Sequence, residues 1–464
     1  MIEMGDQDEF RGVKAHYSDD RSTVYHGDCI EVMRSLPDNS VDAVVTDPPY
    51  GLEFMGKDWD APWKRSGDVE WVEEGTDASH PFRDGSARIR FGAGGEASYG
   101  FQLWVTDFAT EALRVLKPGG HLLAFGGTRT WHRLAVGIED AGFEIRDSIA
   151  WLYGSGFPKS LDVSKAIDKR AGVEREVVGK TNRATGPSQA GKNGIGTFKE
   201  SNWQDSNLLT APATPEANQW AGFGTALKPA HEPIVVARKP LGEKTVAANV
   251  LKHGTGALNI DGSRIGMTDA DLTQSANNWK PKGYESKENI YDIGVEVIST
   301  VQNTAGRWPA NVILDESQAA ELDRQSGVSS STSSSGHKRS GNVVGDERSA
   351  KAAGIYGDDA WIVGSLHNDS GGASRFFYVA KANKSERPRD GDTAHPTVKP
   401  LALMRYLVRL VTPPDGIVLE PFAGSGTTVE AALLEGFSVI GIEMTEEYLP
   451  LIMQRIERYG EGMF

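Results

Sequence analysis

The run Val41-Asp42-Ala43-Val44-Val45-Thr46 stops abruptly at Asp47-Pro48-Pro49-Tyr50. Its β-branched residues favour an extended strand. Two successive prolines supply no N–H and hold φ at about −65°, so no sheet ladder can continue through them. The strand must end there, leaving a carboxylate, a rigid carbonyl and an aromatic ring at one tip. That combination narrows the chemistry as well as the fold.

The flanking segments alternate between strand and helix. Thr23 to His26 reads as a short strand after a polar arm over 1–22, and Ile30 to Leu36 as a helical turn. Residues 56–98, rich in Gly, Asp, Ser and Trp, read as a long loop over the strand tip. Phe108 to Leu116 has helical spacing and is stopped by Lys117-Pro118-Gly119-Gly120. His121 to Phe125 reads as a buried strand, Trp131 to Ala141 as a helix and Ile145 to Tyr153 as a strand. Near the C-terminus, Arg375 to Ala380, Gly416 to Leu419 and Ser438 to Ile442 read as strands. Leu401 to Val411, Thr427 to Leu434 and Thr445 to Tyr459 read as helices. Such alternation predicts an α/β sheet with crossover helices. Between residues 159 and 380 the periodicity is short and scattered, and Ser326 to Ser340 is of low complexity.

A second constellation lies in Leu419-Glu420-Pro421-Phe422-Ala423-Gly424-Ser425-Gly426-Thr427-Thr428, between a strand and a helix. Its glycines let the backbone approach a ligand, and the helix start offers free N–H donors. The spacing is Gly-x-Gly, without the six-residue dinucleotide fingerprint and without the lysine of a phosphate-binding loop. Taken alone it is as readily a tight turn. The next strand, however, ends at Glu443, 17 residues after Gly426, where an α/β fold holds ribose hydroxyls. A third group, Gly27-Asp28-Cys29, ends the first strand. Asp28 is a candidate acceptor for an adenine amine, or simply a turn residue, and Cys29 reads as structural.

Asp47-Pro48-Pro49-Tyr50 suits a specific task. An exocyclic base amine is a poor nucleophile because its lone pair is delocalised into the ring. A carboxylate and the Pro48 carbonyl, both accepting its N–H groups, would localise that lone pair, and Tyr50 offers a face for base stacking. These parts suit a flipped base held for in-line attack on a methyl group.

The net charge of −15 speaks against nucleic acid only at first sight, because position matters more than the sum. From Lys159 to Lys252 there are 14 Lys/Arg against 9 Asp/Glu, a local excess of five positive charges. That window is either a DNA footprint or a solvated face. The single cysteine excludes an internal disulfide and a cysteine-based zinc cluster. There is no apolar run long enough to span a membrane and no recognisable signal peptide, so a cytoplasmic location is expected.

With these residues in place, the sequence resembles the amino-methyltransferases of DNA. Asp47, Pro48, Pro49 and Tyr50 resemble their catalytic motif. Glu420, Pro421, Phe422, Ala423, Gly424, Ser425, Gly426 and Thr427 resemble their cofactor motif, which usually begins with Asp where this chain has Glu420. The catalytic motif comes first, an order that resembles the permuted β group. His395-Pro396-Thr397-Val398-Lys399-Pro400 resembles the segment that closes the cofactor pocket there. The resemblance implies a Rossmann-like methyltransferase dependent on S-adenosylmethionine, with a mostly parallel seven-stranded sheet, circularly permuted motif order and an inserted target-recognition region. It implies a catalytic half over 23–160, target recognition over 161–374 and a cofactor half over 375–464. It also implies that Asp47, Pro48 and Tyr50 hold the base, Phe422, Gly424 and Gly426 line the cofactor, Glu443 binds its ribose, Asp28 its adenine, and Lys399 lies on the cofactor side. Double-stranded DNA is the expected partner, no metal is required, and a homodimer stays open, as does a phage or bacterial restriction-modification role.

Adenine N6 is favoured over cytosine N4, because Asp at the first motif position resembles the adenine group and Ser the cytosine group. Methyltransferases of RNA or protein amines often carry Asn at that position. A non-catalytic DNA-binding module of the same fold is the alternative from another class. Trp203, Trp220, Trp279 and Trp308 are expected in the core, with filling the gap left by a flipped base as the alternative.

Overall fold

The computed structural model describes residues 9–10, 13–51, 96–154, 160–180, 208–266, 306–330, 370–381, 388–391, 393, 395 and 397–460. They divide into two compact units, one comprising 1–259, 311–317 and 380–464, the other 260–310 and 318–379.

The first unit is built on one sheet. Nine of its ten strands are β1 (Tyr17–Ser18), β2 (Ser22–His26), β3 (Val41–Thr46), β4 (Leu116–Phe125), β5 (Glu144–Leu152), β6 (His231–Arg238), β7 (Val312–Asp315), β8 (Ile417–Glu420) and β9 (Ser438–Glu443). They lie in the order β7-β5-β6-β4-β3-β8-β9-β2-β1. The central seven, from β5 to β2, are the strands that the expected fold requires. β3, β4, β8, β9 and β2 run parallel, whereas β6 is antiparallel to both β4 and β5. Every residue of β3 is buried, as a strand covered on both faces demands.

The chain's two ends interlock in this sheet. β8 and β9, made last, lie between β3 and β2, made first. From β8 the chain order runs one way through β9 to β2, while from β3 it runs the other way to β4. This reversal places a ligand crevice beyond the carboxyl ends of β3 and β8.

Two groups of helices cover the sheet. One consists of α1 (Cys29–Ser35), α2 (Glu96–Val115) and α3 (Trp131–Asp140). It packs Met33, Phe101, Trp104, Phe108, Leu134 and Ile138 into a single buried cluster with Val44, Leu122, Leu419 and Ile442. The other group consists of α5 (Leu401–Val411), α6 (Thr427–Leu434) and α7 (Leu449–Gly460), following α4 (Val246–His253), which packs on β4. α5 buries Leu403, Met404, Tyr406, Leu407, Val408, Leu410 and Val411.

Several sequence-based boundaries move. α2 begins at Glu96 rather than Phe108, and the Lys117-Pro118-Gly119-Gly120 stretch read as a helix stop belongs to β4. Residues 52–95, most of the expected loop, lie outside the described residues. The polar arm contributes β1 and the start of β2. Arg375 and Phe376 form part of a 3-10 turn, Ala373–Phe376, rather than the start of a strand. The sheet also reaches past residue 160, because β6 fills the position between β4 and β5. The segment read as target recognition thus contributes two strands, β6 and β7, to the sheet.

In the second unit, Ile265 and Arg307 pair as a backbone bridge. The Arg307 guanidinium donates to the Arg375 carbonyl (3.1 Å) and lies over the Phe376 ring. Trp308, expected in the core, is 65% exposed, with the Arg264 guanidinium over its ring. Trp220, in the first unit, is 43% exposed. Neither ring fills a core. Trp203 and Trp279 lie outside the described residues.

Among the described residues no helix is long and apolar enough to cross a membrane, and no group of His, Cys, Asp and Glu is arranged to hold a metal ion.

Candidate active site

At the tip of β3, Asp47 and Tyr50 fold back on each other. The Tyr50 hydroxyl is 2.9 Å from Asp47 Oδ1 and 3.0 Å from Glu232 Oε2, so its one proton can serve either carboxylate. Thr130 Oγ1 donates to the Tyr50 carbonyl at 2.6 Å, pinning the end of the motif to the start of α3. Pro48 is buried and Pro49 half-buried. The turn closes at Gly51, whose φ of +71° is left-handed, and a Cβ there would stand 2.9 Å from the Phe101 ring. Only glycine fits that combination without strain.

Lys399 joins this group. Its Nζ lies 2.5 Å from Asp47 Oδ2, 3.2 Å from the Tyr50 hydroxyl and 3.3 Å from Glu232 Oε2. Burial opposes its charge, but Asp47 and Glu232 outweigh that and hold the ammonium well above the ordinary lysine range. Burial, then the same two carboxylates, pushes the Tyr50 phenol well above its ordinary value. The Tyr153 phenol is pushed up to about 12 by burial and by Glu232. The structure therefore places Lys399, expected among the cofactor residues, against Asp47 and Tyr50.

Glu232 was not singled out from the sequence. It sits at the start of β6, and the reason lies in the direction of that strand. Parallel strands present their carboxyl ends at the crevice, whereas antiparallel β6 presents its amino end. Reading strand ends alone misses such a residue. The available signal was His231-Glu232-Pro233 immediately before the apolar run Ile234 to Ala237.

At the tip of β8, the turn from Glu420 to Thr427 is held from below. Glu420 is fully buried and accepts from the hydroxyls of Thr46 and Thr428 and from the Phe422 N–H (3.0 Å). Burial raises its carboxyl to about 8, against the pull of those three donors. The Thr46 contact joins the residue before Asp47 to the first residue of the turn, so the two motifs stand side by side. Pro421 and Ala423 are buried, and the half-buried Phe422 ring packs against Trp104 and Phe108.

Gly424 and Gly426 both have left-handed φ, +52° and +79°. A Cβ on Gly424 would stand 3.0 Å from His395 Nε2, and one on Gly426 3.0 Å from the Ile452 backbone. Burial is the main reason the His395 imidazole is held below its ordinary value. Glu443 accepts from the Gly424 and Thr445 N–H groups, each at 2.7 Å. Burial raises its carboxyl above the usual range. The glycines leave the turn beside Glu443 without side chains. These residues fit a cofactor with ribose hydroxyls.

Ser425 and Thr427 face the fold instead. Arg455, with no exposed surface, donates through Nε to the Ser425 carbonyl (2.8 Å), through Nη2 to Thr427 Oγ1 (3.1 Å) and through Nη1 to Glu430. Asp28 caps α1, accepting from the N–H groups of Ile30 (2.9 Å) and Glu31 (3.3 Å). Cys29 is buried in the core, and burial pushes its thiol well up.

An open α/β sheet with a Gly-rich turn and an acidic proline motif on adjacent strand tips defines a methyltransferase of the Rossmann-like class. The sequence profile of the N6_N4_Mtase family, described as DNA methylase, matches residues 41–454. The chain belongs to this DNA methylase family, and its cofactor is S-adenosylmethionine.

The chain is 24% identical over 262 residues to the type II methyltransferase M.HindIII of Haemophilus influenzae, covering 55% of this chain and 69% of that protein. A stretch of 63 residues is 43% identical to the DNA adenine methyltransferase YhdJ of Escherichia coli, covering 14% of this chain and 21% of that one. Among solved structures, the cytosine-N4-specific PvuII DNA methyltransferase aligns over 97% of this chain and 94% of its own, at 15% identity and a TM-score of 0.41.

Proposed function

We propose that this chain methylates N6 of adenine in double-stranded DNA, at a specific sequence. The observation that carries the reading is the side-by-side placement of Asp47 and the Gly-rich turn, fixed by the hydrogen bond from Thr46 to Glu420. Bound S-adenosylmethionine supplies an electrophilic methyl group on a sulfonium. Phe422, Gly424 and Gly426 would line it, with Glu443 at its ribose and Asp28 at its adenine. The rest falls to the chain's own groups at the base.

Asp47 and the Pro48 carbonyl accept the two N–H groups of the target amine, localising its lone pair and aiming it. Asp47 also takes the proton that the methylated amine releases in this reading. The Tyr50 ring gives the base a face to stack on, which requires the base to leave the duplex. Holding two reactants in line is where most of the rate enhancement arises in such a site. Residues 161–374 supply target recognition in this reading, and the basic window from Lys159 to Lys252 grips phosphates.

Adenine is preferred to cytosine because Asp stands at position 47. The name of the relative matched over 63 residues, a DNA adenine methyltransferase, points the same way.

The test is incubation with unmethylated DNA and labelled cofactor, digestion to nucleosides and mass spectrometry. N6-methyladenine is expected, and N4-methylcytosine would overturn the base assignment. Asp47→Ala should lose about 10²–10³-fold in kcat, the scale of one preorganised polar group, with cofactor binding by calorimetry unchanged. An Asp47→Ala protein methylating at the normal rate would refute the mechanism.

A further inference from the structure

Each Asp47 oxygen already holds a partner in this structure. Tyr50 stands at Oδ1, and the Lys399 ammonium stands at Oδ2 at 2.5 Å. An amine that approaches Oδ2 shares that oxygen with a charge-assisted bond, which is roughly twice as strong as a neutral one. A second carboxylate lies within reach of the same ammonium, Glu232 Oε2 at 3.3 Å. Bringing that contact to the usual ~2.8 Å needs a shift of about 0.5 Å. A lysine suits such an exchange, because its ammonium is a compact charge with rotatable donors on a flexible stem.

We propose that Glu232 is a positioning residue that takes Lys399 from Asp47 when the target amine arrives. The proposal rests on the reading of Asp47 as the acceptor of that amine. In the base-free site Lys399 occupies the amine's place and keeps Asp47 from standing unpaired. As the base enters, Lys399 moves onto Glu232, and Asp47 turns its free oxygen to the amine. Tyr50 bridges both carboxylates, so its proton can follow the exchange by swinging from one to the other. Without a charge at position 232, a lysine leaving Asp47 would be a shielded cation with no counter-ion, so it stays. Its side chain is only 9% exposed.

The test is single-turnover methylation by the full chain on duplex DNA. Glu232→Gln keeps the shape and the Tyr50 hydrogen bond but removes the charge. It should slow methyl transfer ~10-fold or more, the scale of one charge-assisted hydrogen bond. Glu232→Asp should retain most of the activity. The distinguishing readout is rescue. Adding Lys399→Met to Glu232→Gln removes the trapped ammonium, so the double variant should run faster than Glu232→Gln alone, which a merely structural role for Glu232 would not produce. Thermal melting and cofactor calorimetry establish that each variant is folded and loaded. A Glu232→Gln rate within about twofold of wild type, or a double variant no faster than Glu232→Gln, would overturn the proposal. Wild-type protein that yields no methylated nucleoside would instead overturn the proposed function.

Discussion

Two clusters of charge stand at neighbouring strand tips, and they are built on different plans. Beneath the Gly-rich turn, Glu420, Glu443, Glu430 and Arg455 bond to backbone groups, to hydroxyls and to one another, and all but Thr46 come from within 420–458. That cluster shapes a backbone. At the tip of β3, Asp47, Tyr50, Glu232 and Lys399 bond mainly to each other and come from three distant stretches of chain. That cluster holds charges that can change partners. The same residue types therefore fix structure in one place and stay exchangeable a few residues away.

The largest expected effect lies under the turn. Arg455→Met leaves Glu430 buried with only Arg458, 3.6 Å away, as a cation. It should cost about 3–5 kcal/mol of stability by denaturant titration. Asp47→Ala should reverse the pattern, with a smaller stability change than Arg455→Met and a much larger loss of rate. Equal stability losses at the two sites would break the comparison.

Next comes a pH effect at Glu420, whose carboxyl sits at about 8 in the fold against about 4.3 for a free glutamate. Between those values the folded chain holds the extra proton, so stability falls as pH rises from about 4.3 through about 8. The slope reaches at most about 1.4 kcal/mol per pH unit. Melting curves across this range should show the fall in the wild type and a flatter line in Glu420→Gln.

The smallest effect belongs to Gly426→Ala, which puts a side chain at φ +79° against the Ile452 backbone. A loss of about 1–2 kcal/mol is expected, together with weaker cofactor binding by calorimetry. Unchanged binding would mean that the turn's shape matters less than its attachment from below.

The two plans also explain what could be read in the sequence. The turn, its helix and Glu443 are local in sequence, and α5 and α6 follow the predicted bounds from Leu401 to Val411 and from Thr427 to Leu434. The strand ending at Asp47 was legible because two prolines leave it no other course. Glu232 was not, since its place depends on the reversed direction of β6, which no local pattern encodes. The contact of Lys399 with Asp47 was not legible for a related reason. The lysine's neighbours in sequence lead to the cofactor side, while its side chain reaches a residue 352 positions away. Helix starts and the two exposed tryptophans were misjudged where tertiary context, not periodicity, decides burial.

The hydrogen bond from Thr46 to Glu420 spans 374 positions of chain. On the ribosome, β2 and β3 emerge long before the two strands that belong between them. Until then β3 lacks one of its flanking partners, and such an unpaired strand edge invites pairing with other chains. The nascent chain therefore carries that open edge until β8 is made. A product terminated before β8 would carry Asp47 to Tyr50 without the turn beside them.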